Sequence, residues 1–201
     1  MRRKEGDKAS EILNAAIRIF ARDGFDKAQV SAIAAVAGVG TGSIYLYFTG
    51  KTSILHTIFS RFWDHLSQEM ATLQNRDPLF RLNDQLGLFF DHLAADRDLA
   101  RVYLREHHRF LETATAQERH GYAAALETGR AAFLEIATGR GDGSPQPDQV
   151  GMDLSQAFLF GGVRSALEFL LSNDIPAEKV RSNMLTMAMA GILAATRRPE
   201  R

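Results

Sequence analysis

The sequence predicts an all-α fold of about nine helices, and three observations support this prediction. Apolar residues recur at intervals of three and four along most of the chain, which is the spacing of one face of an α-helix. No segment of useful length alternates apolar and polar residues with the period of two that a half-buried strand shows. Glycine and proline interrupt the apolar runs at distances that suit helices.

The first quarter of the chain predicts three helices in quick succession. The apolar positions of residues 9–24 mark the first helix, and Gly24 supplies its end. A short amphipathic helix follows over residues 30–37. The next residues are Gly38-Val39-Gly40, and after them a second short helix is predicted over residues 41–47.

Six longer helices are predicted from the apolar stripes in the rest of the chain. Pro78 is placed to open one of them, because proline is tolerated in the first helical turn. The segment 139–148, GRGDGSPQPD, is the only strongly loop-like stretch. The six helices are predicted over residues 52–73, 78–96, 99–113, 117–137, 150–172 and 176–197.

Composition excludes several classes of protein. The 201 residues include no cysteine, so neither disulfide bonds nor thiolate metal sites are available. No apolar run approaches the ~20 residues that a membrane helix needs. The charged start MRRKEGDKASEIL lacks the apolar core of a signal peptide. We therefore expect a cytoplasmic protein without a membrane partner.

Charge is unevenly distributed, although the net charge of the chain is zero. Residues 1–51 carry eight basic and five acidic side chains, a net charge of +3, which leaves −3 for the remaining residues. This asymmetry favours a small anion-binding module on a neutral-to-acidic body.

The stretch GVGTGSIYLYF, residues 38–48, has the alternating glycines of a phosphate-binding nucleotide loop. Such a loop needs a strand before the glycines, and here the short helix SAIAAVA precedes them. The Gly-Lys-Ser/Thr ending of a P-loop is also missing. The geometry instead predicts a helix, a sharp turn at Gly38 and a second helix, which is the DNA-binding helix-turn-helix arrangement.

Residues 9–55 resemble the N-terminal domain of the tetracycline-repressor (TetR) family of bacterial transcriptional regulators. The resemblance lies in AAIRIFARDGF, in Ala37-Gly38-Val39, in Gly42-Ser43-Ile44-Tyr45 and in Tyr47-Phe48 with the later Lys51. It implies a helix-turn-helix DNA-binding domain over residues 1–50. It further implies a helical ligand-binding and dimerisation domain over residues 51–201, and a ligand-released repressor that is not an enzyme.

The resemblance places several side chains at the DNA surface. Hydroxyl and ammonium groups there contact phosphates, and the start of the second helix faces base edges. The alternatives are ordinary helix capping for the serine and threonine residues and core packing for the tyrosines. Gln29 and Gly40 depart from the family pattern, which usually has a capping hydroxyl at these positions. The predicted DNA-binding residues are Ser31, Thr41, Gly42, Ser43, Tyr45, Tyr47 and Lys51.

The last two predicted helices are the candidates for a homodimer interface. AFLFGGVRSALEFLL and MLTMAMAGILAA place small residues among large apolar ones, which permits close approach of helices. The alternative is ordinary packing within one chain. A dimer would present two recognition helices about 34 Å apart to double-stranded DNA, so an inverted-repeat operator is expected.

Aromatic residues are abundant in the middle of the chain, and some could line a small-molecule site. The segment RVYLREHHRFLE, residues 101–112, together with FGGVRSALEFLL weakly resembles acyl-CoA-responsive members of the family. An acyl-CoA or another amphipathic effector is therefore the expected ligand. The candidate ligand-binding residues are Phe62, Trp63, Phe89, Tyr103, His107, Phe110, Tyr122 and Phe158.

Two other functions are considered. One is a DNA-binding regulator without a small-molecule ligand, which a filled core would favour. The other is a helical enzyme that uses Glu106, His107 and His108 as acid–base groups, although no nucleophile, cofactor loop or metal set accompanies them. No cofactor is predicted. No metal site is predicted either, because the sequence has no cysteine and no His-x3-His pair.

Overall fold

The computed structural model describes residues 5–73, 77–138 and 149–195, and these residues form nine α-helices without a strand. The all-α prediction is confirmed. The predicted loop over residues 139–148 lies outside the described residues. The helices are α1 (Glu5–Asp23), α2 (Val30–Ala37), α3 (Thr41–Ile44), α4 (Lys51–Ala71), α5 (Pro78–Ala94), α6 (Arg97–Thr113), α7 (His120–Thr138), α8 (Gln149–Ser172) and α9 (Ala177–Ala195).

Side-chain capping marks the starts of two helices, α5 and α6. Asp77 and Asp96 are the N-caps of α5 and α6, and each carboxylate accepts hydrogen bonds from backbone N–H groups of the first turn. Pro78 opens α5 as predicted. The second short helix was predicted to reach residue 47, but α3 ends at Ile44 and continues as a turn. Within the described ranges we find no helix that could span a lipid bilayer.

The chain divides into two compact units, and it passes from one unit to the other inside α4, between α5 and α6, and inside α7. Unit 1 consists of Met1–Asp64 and Asp96–Gly121, and unit 2 consists of His65–Ala95 and Tyr122–Arg201. The sequence predicted a division at residue 50, which stays a prediction about function. By packing, α6 belongs with the N-terminal helices, because it lies against α1.

Each unit has its own apolar core. In unit 1, α1 packs against α2 and α6, and α2 packs against α3. Fully buried side chains at this core include Phe20, Ile33 and Ile44. In unit 2, α5 packs against both α8 and α9, and Phe90 and Leu167 are buried completely. Burial of each such side chain contributes roughly 1.5–3 kcal/mol to folding.

Gly38 ends α2 in a conformation that other residues adopt at a cost. Its φ is +67°, and its backbone N–H lies 3.3 Å from the carbonyl oxygen of Ala35. We expect Gly38→Ala to lower the free energy of unfolding by about 1 kcal/mol, because Cβ crowds the backbone at positive φ. A chemical denaturation curve measures this change. Gly42→Ala is the matched control, since Gly42 has no positive φ and its Cβ would point into open space.

Candidate nucleic-acid interface and apolar cavities

The turn between α2 and α3 is built from backbone geometry and a few buried anchors. Gly38 turns the chain in the left-handed conformation, and Gly40 is the extended N-cap of α3. The buried side chains of Ile33, Ile44 and Phe48 hold the two helices on the unit 1 core. Because Gly40 is the cap, neither hydroxyl of the following turn is needed as the capping group.

The buried anchors leave one face of this motif in solvent. Thr41, Gly42 and Tyr45 are exposed, and Leu46 between the two tyrosines is 81% exposed. Tyr45 therefore is not a core residue, with 57% of its surface accessible. The geometry brings these residues onto one surface of the helix-turn-helix, as direct contact with a groove would require.

The other predicted DNA-binding residues lie beside this face or behind it. Ser43 and Tyr47 are half-buried, so only part of each side chain is available to a phosphate. Ser31 is exposed in the first turn of α2, and its hydroxyl lies 3.5 Å from Oε1 of Gln29. Gln29 itself is the N-cap of α2 without a side-chain capping bond.

Lys51 has a structural role that the sequence did not indicate. Its Nζ donates hydrogen bonds of 2.8 Å to the carbonyl oxygens of Phe25 and Asp26, and it lies 4.8 Å from the centre of the Phe25 ring. Arg109 lies against the same ring and pairs with the Asp26 carboxylate at 3.1 Å. The ammonium group thus ties the start of α4 to the α1–α2 connection.

Most of the predicted ligand-binding residues form a packed aromatic cluster in unit 1. Trp63 is fully buried, and its Nε1 donates a hydrogen bond of 3.1 Å to Nε2 of His107. The ring centre of Tyr103 lies 4.6 Å from that of His107 and 6.4 Å from that of Phe62. Phe110, also fully buried, completes the cluster. These rings pack directly against one another, as they do in an ordinary protein core.

A polar arrangement at the edge of this cluster joins α4 to the α6–α7 connection. Nδ1 of the buried His56 lies 3.1 Å from a carboxylate oxygen of Glu118, and its Nε2 lies 2.9 Å from Oγ1 of Thr113. The pKa of Glu118 is lowered, first by the hydrogen bond that the carboxylate accepts from the backbone N–H of Thr115.

The remaining three candidate ligand residues belong to unit 2 and do not share one site. Phe89 is buried, and its ring centre lies 5.3 Å from that of Phe160. Tyr122 is half-buried, and burial raises the pKa of its hydroxyl. Phe158 is 67% exposed and lines a surface groove. Aromatic content therefore did not identify a common ligand cavity.

The interior of unit 2 contains a buried amide that the sequence analysis missed. Gln85 is only 2% exposed, and among the described residues neither Oε1 nor Nε2 of its side chain has a hydrogen-bond partner. It borders a cavity of about 20 Å³ whose other walls are mostly apolar, including Leu82 and Phe133. Leaving such an amide unpaired costs about 1–3 kcal/mol, so a buried amide without a hydrogen-bond partner calls for a functional or structural explanation.

A buried cation lies one helical turn from this amide. Arg81 is 3% exposed, and its Nη2 lies 2.6 Å from a carboxylate oxygen of Glu135. Because Arg81 and Gln85 are four residues apart on α5, their side chains share a face of the helix. Together they supply a cation and an amide inside an otherwise apolar interior. A signal in the sequence was available, namely two polar residues within the apolar stripe of α5.

The surface of unit 2 carries an apolar groove formed by α5, α8 and α9. Its volume is about 680 Å³, and the exposed side chains of Phe158, Phe169 and Met187 line it. Val150 and Leu154 continue the exposed apolar stripe along α8 at helical spacing. Both helices also carry buried apolar residues outside the groove lining, such as Leu167 and Leu170 of α8 and Leu185 of α9, so both are apolar on more than one side.

The three residues considered for acid–base catalysis each interact with a different partner side chain. Glu106 accepts a hydrogen bond of 3.1 Å from Nε of Arg109, and His107 accepts one from Trp63. His108 is exposed and pairs with Glu112 at 3.4 Å. The three side chains therefore do not converge on a reaction site.

Comparison with known proteins identifies the N-terminal domain. Residues 12–58 match the family model described as bacterial regulatory proteins, tetR family. The chain is 28% identical over 198 residues to the fatty acid metabolism regulator protein of Bacillus subtilis (strain 168), covering 92% of this chain and 95% of that protein. It is 29% identical over 83 residues to the transcriptional repressor KstR of Mycolicibacterium smegmatis, or 40% of this chain and 41% of that protein.

Solved structures share the fold of about nine-tenths of the chain. The fatty acid degradation regulator FadR from Bacillus halodurans superposes with a TM-score of 0.75 at 22% identity, over 93% of this chain and 97% of that chain. FadR from Bacillus subtilis, solved in complex with stearoyl-CoA, superposes with a TM-score of 0.68 at 24% identity, over 90% of this chain and 98% of that one. Together with the family match, these likenesses confirm the predicted fold class, an all-α chain with an N-terminal helix-turn-helix and a helical C-terminal part.

Proposed function

Because this chain is a DNA-binding transcriptional regulator of the tetR family and not an enzyme, we propose that it is a cytoplasmic repressor that a fatty acyl effector releases from its operator. The observation that carries the DNA-binding part is the exposed face of the helix-turn-helix, with Thr41, Gly42 and Tyr45 in solvent. Ser31, Ser43 and Tyr47 are proposed to contact phosphates beside it. Lys51 contributes its remaining N–H donor.

The operator is proposed to be an inverted repeat, because we propose that a second copy of the chain covers the apolar groove of unit 2 and so forms a two-fold dimer. Monomeric proteins rarely expose contiguous apolar patches of this kind, and a two-fold dimer buries the same patch on both copies. Phe158 and Met187 are each exposed by more than 60% and would be covered in such a dimer.

Selection of binding sites from a random duplex pool tests the DNA-binding function. We expect an enriched inverted repeat. The affinity for it should fall steeply as the salt concentration rises from about 50 to about 200 mM, because binding to phosphates releases counterions from the DNA. Gly42→Ala should weaken operator binding about tenfold, since a Cβ on the exposed face holds the backbone away from the groove. No enrichment, or an affinity indifferent to salt, would contradict the proposal.

The effector is proposed to bind in the interior of unit 2, with Gln85 and Arg81 at its polar end. A fatty acyl group is favoured because the curated relative that matches over nearly the whole chain regulates fatty acid metabolism. An acyl chain suits the apolar walls, and its carbonyl oxygen can accept from the Gln85 amide. A cavity of about 20 Å³ is far too small for an acyl chain, so binding must favour an expanded conformer. Repression then ends because the effector binds that conformer better than the one that binds DNA.

Gln85→Leu separates effector binding from DNA binding. We expect this variant to bind the operator normally and to require about tenfold more stearoyl-CoA for release, because the acyl carbonyl loses its donor. Its thermal stability should rise, since the unpaired amide is gone. Operator release is measured by fluorescence anisotropy.

Gln117→Leu, the same change at an exposed position, is the control and should respond like the native chain. If Gln85→Leu and the native chain release the operator at the same stearoyl-CoA concentration, Gln85 does not bind the effector. If neither responds to any acyl compound, the alternative of a regulator without a small-molecule ligand is favoured.

A further inference from the structure

Three potential metal ligands converge at the end of α4 and the end of α5, within unit 2. His65 and Glu69 lie one turn apart on α4, and His92 lies in the last turn of α5. Nε2 of His65 lies 3.7 Å from one carboxylate oxygen of Glu69, and Nε2 of His92 is in close contact with the other. The two imidazole rings are 5.1 Å apart and nearly perpendicular. One ligand atom from each residue can be chosen so that all three lie within 4.8 Å of one another.

We propose that His65, Glu69 and His92 form a binding site for a Zn²⁺ ion. Two imidazole nitrogens and one carboxylate oxygen are the ligands of many open zinc sites, in which water takes the fourth position. Zn–N and Zn–O distances of about 2.0–2.2 Å place tetrahedral ligand atoms roughly 3.3–3.6 Å apart. The His65–Glu69 separation of 3.7 Å is close to this value.

Small side-chain movements complete the geometry. The imidazole of His92 and the carboxylate of Glu69 must separate to admit the ion between them, and the more widely spaced ligand atoms must draw together. His65 is 63% exposed and His92 is 27% exposed, so the ion can enter from solvent and keep a bound water. The hydrogen-bonded contact of Glu69 with His92 holds the carboxylate in place before the ion arrives.

A second His–Glu pair provides a comparison within the same chain. His108 and Glu112 on α6 are also four residues apart, 3.4 Å from each other and exposed. Among the described residues, only the pair of His65 and Glu69 on α4 has a third potential metal ligand nearby, which is His92. Two ligands one turn apart hold a metal weakly, so selective binding at the α4 pair would depend on the contribution of His92 from another helix.

The test is a titration of the full, chelator-treated chain with ZnCl₂ in a calorimeter, followed by CoCl₂ titration monitored by visible absorption. We expect one ion per chain at micromolar affinity, on the order of 1–10 µM, and a rise in the melting temperature with Zn²⁺ concentration. Bound Co²⁺ should show the intense visible bands of four-coordination. His92→Ala and His65→Ala should each weaken binding about 100-fold.

His108→Ala is the matched control and should bind Zn²⁺ as the native chain does. The proposal is overturned if the native chain shows no saturable binding at about 100 µM Zn²⁺, which is at least ten times the expected dissociation constant. It is equally overturned if His92→Ala binds as tightly as the native chain, or if His108→Ala is the variant that loses binding. Because DNA binding is not the readout, these outcomes do not depend on the proposed regulatory function.

Discussion

Gly121→Ala is expected to lower the free energy of unfolding by about 3 kcal/mol, one of the largest effects of a single methyl group in this protein. A Cβ at Gly121 would lie 2.4 Å from the backbone nitrogen of Asp64 and 2.6 Å from the carbonyl carbon of Trp63. Backbone atoms in the middle of α4 cannot move aside without breaking the helix. The first turn of α7 therefore approaches α4 more closely than any side chain permits.

Chemical denaturation followed by tryptophan fluorescence measures this loss, because Trp63 lies beside the affected contact. Gly87→Ala is the matched control. There the added Cβ also meets an atom at 2.4 Å, but that atom is Nη2 of Arg181, the far end of a flexible side chain. The side chain can swing away, so we expect a loss below about 1 kcal/mol. Equal losses in the two variants would show that close backbone approach at Gly121 is not the constraint.

Phe158→Glu is expected to convert the proposed dimer into a monomer and to weaken operator binding about 100-fold or more. In a dimer built on the groove of α8 and α9, this position is desolvated, and an unpaired carboxylate there is costly. Each monomer then contacts one half-site only, so the affinity gained from simultaneous binding of both half-sites is lost. Analytical ultracentrifugation gives the oligomeric state, and fluorescence anisotropy gives the operator affinity.

Phe80→Glu is the control, because Phe80 is exposed to the same extent, 67%, but does not line the groove. It should remain a dimer and bind the operator normally. A dimeric Phe158→Glu protein would show that the copies associate through another surface, and a native chain that is already monomeric would refute the dimer itself.

The DNA-binding motif could be read from the sequence because its determinants are local. Gly38 adopts the left-handed conformation at the end of α2 without the steric cost of a side chain, and the apolar periodicity of α2 indicates which side of that helix is buried. The short reach of these interactions also explains why the helix order was predictable. Lys51 was interpreted as a phosphate contact only, because its bonds to the carbonyls of residues 25 and 26 join segments far apart in the sequence.

The ligand region was less predictable, because aromatic residues alone do not say which of them share a core. Trp63 and His107 are joined by a hydrogen bond in unit 1. Phe89 lies in unit 2, and Phe158 lines a surface groove of the same unit. The sequence analysis missed the buried amide of Gln85. A polar residue within an apolar stripe does not indicate whether its side chain has a hydrogen-bond partner in the folded protein.

The sequence by itself determined that this protein is all helical, that it begins with a helix-turn-helix, and that Gly38 makes the turn. These properties depend on backbone preferences and on a periodicity that repeats within one or two helical turns. Only the tertiary structure decided that α6 packs with the N-terminal helices and that His92 joins His65 and Glu69. Such contacts depend on how separate helices pack, and side chains distant in sequence carry no local pattern that reveals it.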